Sequence, residues 1–311
     1  MKIYHSIEAF KKVKNAVVTT GTFDGVHLGH LKIINRLRKI ANTIHGETVL
    51  LTFSPHPRIV LFSDNSLKLI SSKNEKIERL RQAGIDHLII HPFSREFSRL
   101  SSVEFVRDIL VNKLGTRRLV IGYNHHFGRN REGSFEHLKE FGPLYGFQVE
   151  EISAQDVEEV SVSSTKIRKA LESGDVKTAR AYLTHDFCLS GIVVKGNHLG
   201  HKIGFPTANI KVVDSHKLIP ANGVYAVRVL VRDKEYTGML NIGVRPTIDG
   251  SEKTIEVHVI NFDEDIYGER LVIFFDDWIR KEKKFESLDA LKSQLVKDRT
   301  ALLNRQSSKD R

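Results

Sequence analysis

Two histidines, His27 and His30, stand three residues apart in the run Gly21-Thr22-Phe23-Asp24-Gly25-Val26-His27-Leu28-Gly29-His30. An apolar strand-like run, Ala16–Thr20, precedes them, and a helix-like run from Leu31 follows. A strand, a glycine-punctuated turn and a helix start form a phosphate-binding corner, because the first N–H groups of a helix have no intrahelical acceptor. Residues three apart share one face of a helical turn, so the spacing predicts two imidazoles beside those N–H groups. Asp24-Gly25 supplies a tight turn, and Gly29 lets a phosphate or base approach the backbone. This grouping suits the phosphate chain of ATP. The plain alternative is a histidine-rich helix cap with no ligand.

Three further segments carry groups compatible with phosphate. In Ser163-Ser164-Thr165-Lys166-Ile167-Arg168 either serine is a good helix cap, Ser164 and Thr165 offer hydroxyl donors, and Arg168 can clamp a triphosphate. Gly122-Tyr123-Asn124-His125-His126-Phe127-Gly128 follows a strand, with Arg129 and Arg131 beside it. Thr52-Phe53-Ser54-Pro55-His56-Pro57 ends another strand, and its two prolines stiffen it as a pocket wall. Read plainly, these are a capped helix, a glycine-bounded loop and a rigid turn. None resembles a nucleophile–base pair. Adenylyl transfer needs none, since an anionic phosphate attacks the α-phosphorus while the enzyme orients and neutralises.

A second cluster lies downstream, in Gly191–Gly196 and Gly200-His201-Lys202-Ile203-Gly204-Phe205-Pro206-Thr207-Ala208-Asn209. Dense glycines allow a flap over phosphates. If the end of this piece is extended, Thr207 and Asn209 point to one side, and such hard oxygen ligands suit Mg²⁺. The plain reading is a glycine-rich hairpin followed by a Pro-Thr turn. Glu256, taken alone, is a solvent-facing strand carboxylate.

The elements that must position these residues fall into two textures. In the first half, strand-like runs at Ala16–Thr20, Thr48–Phe53, His87–His91, Arg118–Ile121 and Phe147–Ile152 alternate with helical patterns near Leu31–Ile44, Lys73–Ala83, Ser102–Asn112 and Phe135–Phe141. Such alternation predicts a parallel sheet covered on both faces, with ligands at the carboxyl ends of its strands. Helices Ser164–Ser173 and Val176–Leu183 follow, and Thr184-His185-Asp186 reads as a junction. Closely spaced strands come next, at Phe187–Lys195, Val224–Val231, Tyr236–Ile242, Thr254–Asn261 and Arg270–Trp278, which predict an antiparallel barrel or sandwich. Leucines 288, 291, 295 and 302 give the tail helical spacing, and residues 307–311 read as frayed.

Taken together, Gly21–His30 and Ser163–Arg168 resemble the nucleotidylyltransferase superfamily, and within it the adenylyltransferase module of the prokaryotic bifunctional riboflavin kinase/FAD synthetase family. Gly200–Asn209, Pro220–Tyr225, Asn241–Thr247 and Glu256-Val257-His258 resemble the riboflavin kinase module of that family, in the same order along nearly the whole chain. The resemblance implies a Rossmann-like nucleotidyltransferase domain over 1–183 and a small antiparallel Greek-key β-barrel with a C-terminal helix over 184–306. It implies phosphorylation of riboflavin by ATP to FMN, then adenylylation of FMN to FAD with release of pyrophosphate, with Mg²⁺ serving both steps. His27, His30 and Arg168 are then the catalytic set for adenylyl transfer, and Gly21, Phe23, Gly25, Gly29, Ser164 and Thr165 line its ATP. Phe53, Pro55, His56 and Asn124 fall on the flavin side. In the second module Gly196, Gly204, Thr207 and Asn209 hold Mg-ATP, Thr207 and Asn209 as metal ligands. Glu256 is implied as the base for the riboflavin hydroxyl, and Arg280, Gln294 and Asp298 belong to a flavin-covering helix. The chain departs from relatives at Asn124, often aspartate, and at His201, often arginine. Trp278 could stack on the flavin ring or sit in the core, and the core is the reading taken.

Composition fits these expectations. The 311 residues suggest about two domains, and no apolar run approaches the roughly 18 residues that span a bilayer. A single cysteine, Cys188, excludes an intrachain disulfide and a cysteine-based zinc site, and a reducing cytoplasm is expected. The net charge of +10 serves anionic small substrates. It would also serve nucleic acid, but neither a long Lys/Arg block nor an aromatic–basic repeat is present, so no nucleic-acid or membrane partner is expected. The competing readings are a nucleotidylyltransferase for a different phosphate ester, a basic RNA-binding protein, and a flavin-storage protein.

Overall fold

The computed structural model describes residues 1–62, 66–123, 125–152, 162–196, 199–247 and 250–307. The chain divides into two compact units, Met1–Ser164 and Thr165–Arg311.

The first unit is built on a parallel sheet of six strands: β1 (Lys2–Tyr4), β2 (Ala16–Thr20), β3 (Thr48–Phe53), β4 (His87–His91), β5 (Thr116–Gly122) and β6 (Gln148–Ile152), in the spatial order β1-β4-β3-β2-β5-β6. Every neighbouring pair is parallel. Successive strand residues point to opposite faces, and both faces are apolar, as a buried parallel sheet requires. Val17, Leu50, Leu88 and Val120 pack on Ile34, Leu37 and Ala41 of α1 (Leu28–Thr43) and Leu80 of α3 (Lys73–Gln82). Val18, Val49, Ile89 and Leu119 pack on the other side, against Leu138 of α5 (Phe135–Tyr145) and a helix that starts as α4 (Ser102–Glu104) and continues in π geometry over Phe105–Lys113. From β2 the chain moves outward through β3 and β4, then crosses back to β5 and β6. The gap between the carboxyl ends of β2 and β5 is therefore the switch point where such sheets bind ligands.

The second unit opens with α6 (Ser164–Glu172) and α7 (Val176–Leu183), followed by a closed barrel of β7 (Cys188–Val194), β8 (Ala208–Val212), β9 (Gly223–Val231), β10 (Lys234–Thr247), β11 (Gly250–Val259) and β12 (Arg270–Arg280). All pairs are antiparallel. The order β12-β9-β10-β11 is a Greek key, a three-strand meander whose fourth strand returns beside the first. A short helix, α8 (Leu199–Lys202), lies between β7 and β8. The terminal helix α9 (Leu288–Ser307) seats Leu302, Leu291 and Leu295 against Phe205, Ala226 and Met239.

The sequence expected the division at 183/184, whereas the compact units part at 164/165, because α6 and α7 pack with the barrel. Ala221 N–H donates to Leu171 O at 3.0 Å, and Lys177 pairs with Asp277 at 3.1 Å. Several short elements were not expected, the helix α8 among them. β1 is only three residues long. β8 follows Pro206 in a glycine-rich run, and α2 (Pro57–Phe62) begins on a proline in the segment read as a rigid wall. Proline suits a first helical position because its missing N–H is unused there. Of the tail read as frayed, Ser307 ends α9, and 308–311 lie outside the described residues.

Candidate functional site

The loop after β2 has the geometry of a strap. Gly21 N–H donates to Leu51 O at 3.0 Å, which continues the sheet. The backbone then enters the left-handed region at Phe23 (φ 48°), Gly25 (φ 84°) and Val26 (φ 43°). Only the glycine adopts this without cost; for a β-branched valine it is a genuine outlier. Both oxygens of buried Asp24 hold the strap, accepting from Ile70 N–H and Ser71 N–H at 3.1 Å each. Helix α1 starts one turn earlier than the sequence pattern indicated, at Leu28, with His27 as its cap residue. The two imidazoles stack with centroids 3.7 Å apart and planes 16° off parallel, and Phe23 lies 4.8 Å from His30. Burial, then the neighbouring His27 and Lys76, drive the His30 pKa well below that of ordinary histidine. At neutral pH His30 is therefore a neutral imidazole that offers a directed N–H, and positive charge must come from elsewhere.

The other sequence-derived residues of this unit distribute along the same rim. Phe53, at the end of β3, packs its ring on Phe93 (5.4 Å) and Phe97 (5.5 Å), an aromatic wall that continues through Phe105 to Phe127. Pro55 and His56 lead into α2, and His56 Nδ1 accepts from Arg58 N–H at 3.2 Å. His125, after β5, is pushed down to about 4 by burial and by His126 and Arg131. Asn124 lies outside the described residues. Ser164 spends its hydroxyl on the strap, donating to Asp24 O at 3.1 Å. Thr165 and Arg168, in the second unit, share one face of α6, three residues apart, while Ile167 and Leu171 are buried.

On the barrel, strand register assembles the second site. Ile255 and Val257 are buried, so Glu256 between them faces outward. It pairs across the ladder with Asn209 on β8 and with Asn241 on β10. Directly paired residues share a face, so the three form one outward row. Thr207, two residues before Asn209, donates its hydroxyl to Glu256 Oε2 at 3.3 Å, and Arg245 donates to Glu256 Oε1 at 3.2 Å. Gly196 closes over this row: a Cβ there would lie 2.0 Å from Asn209 Nδ2. Gly204, with φ 78°, turns the chain after α8. Thr207 and Asn209 present hard oxygen atoms beside a carboxylate, a donor set that fits Mg²⁺ shared with phosphates, a cation that keeps few protein ligands. Among the described residues no group of three or more His, Cys, Asp or Glu could hold a metal.

The residues expected to cover flavin bond to one another. Arg280 Nη2 donates to Asp298 Oδ2 at 2.8 Å, Gln294 Nε2 donates to Asp298 Oδ1 at 2.8 Å, and Asp298 is only 3% exposed. Together they bolt α9 to β12. Removing one partner of a buried pair leaves the other charge stranded, at about 3–5 kcal/mol. Asp298→Ala is therefore expected to destabilise the barrel unit by about 3 kcal/mol, the low end because Arg280 keeps some solvent. Urea unfolding followed by Trp278 fluorescence measures this; an unchanged midpoint would contradict the bolt. Trp278 itself is packed, edge-on to Tyr225 at 5.1 Å and against Gly174, where a Cβ would fall 1.9 Å from the indole. Sequence reasoning gave no role to Lys76, Asn241 or Arg245. Arg245 and Asn241 were legible in principle, since both fall on the outward alternation of β10.

A switch-point sheet with paired histidines and a Greek-key barrel bearing a Thr/Asn/Glu row define a two-domain nucleotide-dependent transferase. The FAD synthetase family model matches residues 9–166, and the riboflavin kinase family model matches residues 183–305. Bifunctional riboflavin kinase/FMN adenylyltransferases align along almost the full length of both chains. That of Buchnera aphidicola subsp. Schizaphis graminum is 39% identical over 96% of each chain, and that of Escherichia coli strain K12 is 35% identical over 96% of each. A crystal structure described as a macrolide-efflux protein from Streptococcus pneumoniae superposes with a TM-score of 0.89 at 31% identity, covering 97% of this chain and 98% of that one. No helix among the described residues is long and apolar enough to cross a membrane. The chain belongs to the bifunctional riboflavin kinase/FMN adenylyltransferase family.

Proposed function

We propose that the two transfers of this family are divided between the two units, each run by the residue cluster it carries. The observation that supports this most directly is that the stacked histidines and the Thr207/Asn209/Glu256 row lie on separately folded units.

On the barrel, riboflavin donates its 5′-hydroxyl. Glu256 accepts the proton as the oxygen attacks the γ-phosphorus of ATP, the bond to the bridging oxygen breaks, and ADP leaves. Thr207 and Asn209 would hold Mg²⁺, which when bound neutralises phosphate charge. Arg245, donating to Glu256 Oε1, aims the carboxylate. In the sheet unit a phosphate oxygen of FMN attacks the α-phosphorus of the second ATP, and pyrophosphate leaves. Neutral His30 and its neighbour His27 direct N–H groups at the phosphates, and the N–H groups opening α1 add to them. Gly21, Phe23, Gly25 and Gly29 border the nucleotide, and Gly196 and Gly204 shape the flap over the other one. Phe53, Pro55 and His56 present an aromatic and stiff wall to the flavin. In the present fold Arg280, Gln294 and Asp298 serve it indirectly, by seating α9. The small molecules riboflavin, FMN and ATP are the partners, in the cytoplasm.

Incubation of the chain with riboflavin, ATP and Mg²⁺, with the flavins separated by chromatography, tests the reading. FMN is expected to appear first and FAD after it. Unchanged riboflavin would refute it.

A further inference from the structure

Lys76, in the first turn of α3, is a lysine in an otherwise ordinary amphipathic helix, yet its ammonium is turned inward. Nζ donates to Thr22 O at 3.0 Å and to Thr52 Oγ1 at 3.3 Å, and the Thr52 hydroxyl donates to the same Thr22 O at 3.1 Å. Thr52 is fully buried. This knot joins the ends of β2 and β3 to α3, at the residue where the strap begins. Asp24 pins the strap from the other side through Ile70 and Ser71. Between these anchors lie the left-handed residues Phe23, Gly25 and Val26. Such backbone costs about 1–3 kcal/mol per non-glycine residue and persists only where its surroundings over-determine it. A capping box, in which Ser72 accepts from Glu75 N–H and Glu75 returns to Ser72 N–H, fixes the turn that carries Lys76.

We propose that Lys76 is a positioning residue for adenylyl transfer: its ammonium holds the Thr22 carbonyl, and with it the strained strap that places His27 and His30. The inference rests on the adenylyl-transfer reading of the first unit. The charged and titratable groups around Lys76 are Asp24 on the strap, His30 on α1, and Lys73 on its own helix. Burial lowers Lys76 to about 8, against the pull of Asp24 and with the push of Lys73. The sign follows. Below that value the ammonium donates charge-assisted bonds to the strap. As pH rises through it the charge is lost, and the grip weakens.

The test follows FAD formation from supplied FMN and ATP between about pH 6 and about pH 10 in the wild type, Lys76→Met and Lys76→Arg. Riboflavin phosphorylation in the same preparations is the control. Lys76→Met is expected to lose about 100-fold in kcat/KM for FAD formation, the scale of a misplacement near 1 Å, with phosphorylation within about twofold. Wild-type FAD formation is expected to fall above about pH 8, and Lys76→Arg to keep the activity and move that fall to higher pH, since guanidinium stays charged. Lys76→Met retaining FAD formation within about twofold would overturn the proposal. So would an unmoved alkaline fall in Lys76→Arg, or equal loss of both activities in Lys76→Met, which would make Lys76 a general fold residue. A wild type that forms no FAD at any pH would instead refute the adenylyl-transfer reading.

Discussion

His30→Ala is expected to lower FAD formation from FMN by about 10²–10³-fold, the loss that follows removal of one preorganised donor from a developing oxyanion, while riboflavin phosphorylation continues. The stack with His27, at 3.7 Å, is also lost, but an aromatic pair is worth only about 0.5–1.5 kcal/mol beyond its buried area. That is too little to unfold a sheet whose two faces are closed by separate apolar cores. FMN therefore accumulates in the variant. Chromatography of the flavins with each substrate supplied in turn measures both steps, and a variant that loses both equally would contradict separate sites.

Glu256→Gln is expected to do the reverse. Glutamine keeps the shape and a hydrogen-bonding oxygen but cannot take the riboflavin proton, and loss of a positioned general base costs about 10²–10⁴-fold. Adenylylation of supplied FMN should stay near the wild-type rate. The ion pair to Arg245 is also lost, but at 43% and 27% side-chain exposure it is largely solvated, and such pairs contribute about 0–1 kcal/mol. A fall of the expected size thus reports chemistry rather than folding. A normal rate of phosphorylation would show that Glu256 is not the base.

The sequence pattern carried the alternation of strand and helix in the first unit well, because each buried strand is a short apolar run and each helix shows its own period. It placed the histidines correctly on a helix start, but not at the right positions. His27 is the cap residue and His30 lies in the first turn, because the strap's left-handed residues let the helix begin earlier than its apolar stripe. Short elements escaped. β1 has three residues and β8 five, too few for a period to register, and β8 sits among glycines that read as flap. The functional lysine was the hardest to see. Lys76 has the spacing of a surface residue, and only the tertiary approach of Thr22 and Thr52 turns it inward. Ser164, Arg280, Gln294 and Asp298 carry the opposite lesson. Each has the chemistry to touch a ligand, and each also has a protein partner that the sequence did not show: Asp24 O for Ser164, and one another for the other three. Polar residue type alone does not separate a ligand contact from a structural one.

With one transfer on each folded unit, one chain carries two nucleotide pockets. Calorimetric titration with a Mg²⁺-bound, non-hydrolysable ATP analogue tests it most directly: two nucleotides bound per chain are expected, and saturation at a single nucleotide per chain would contradict it.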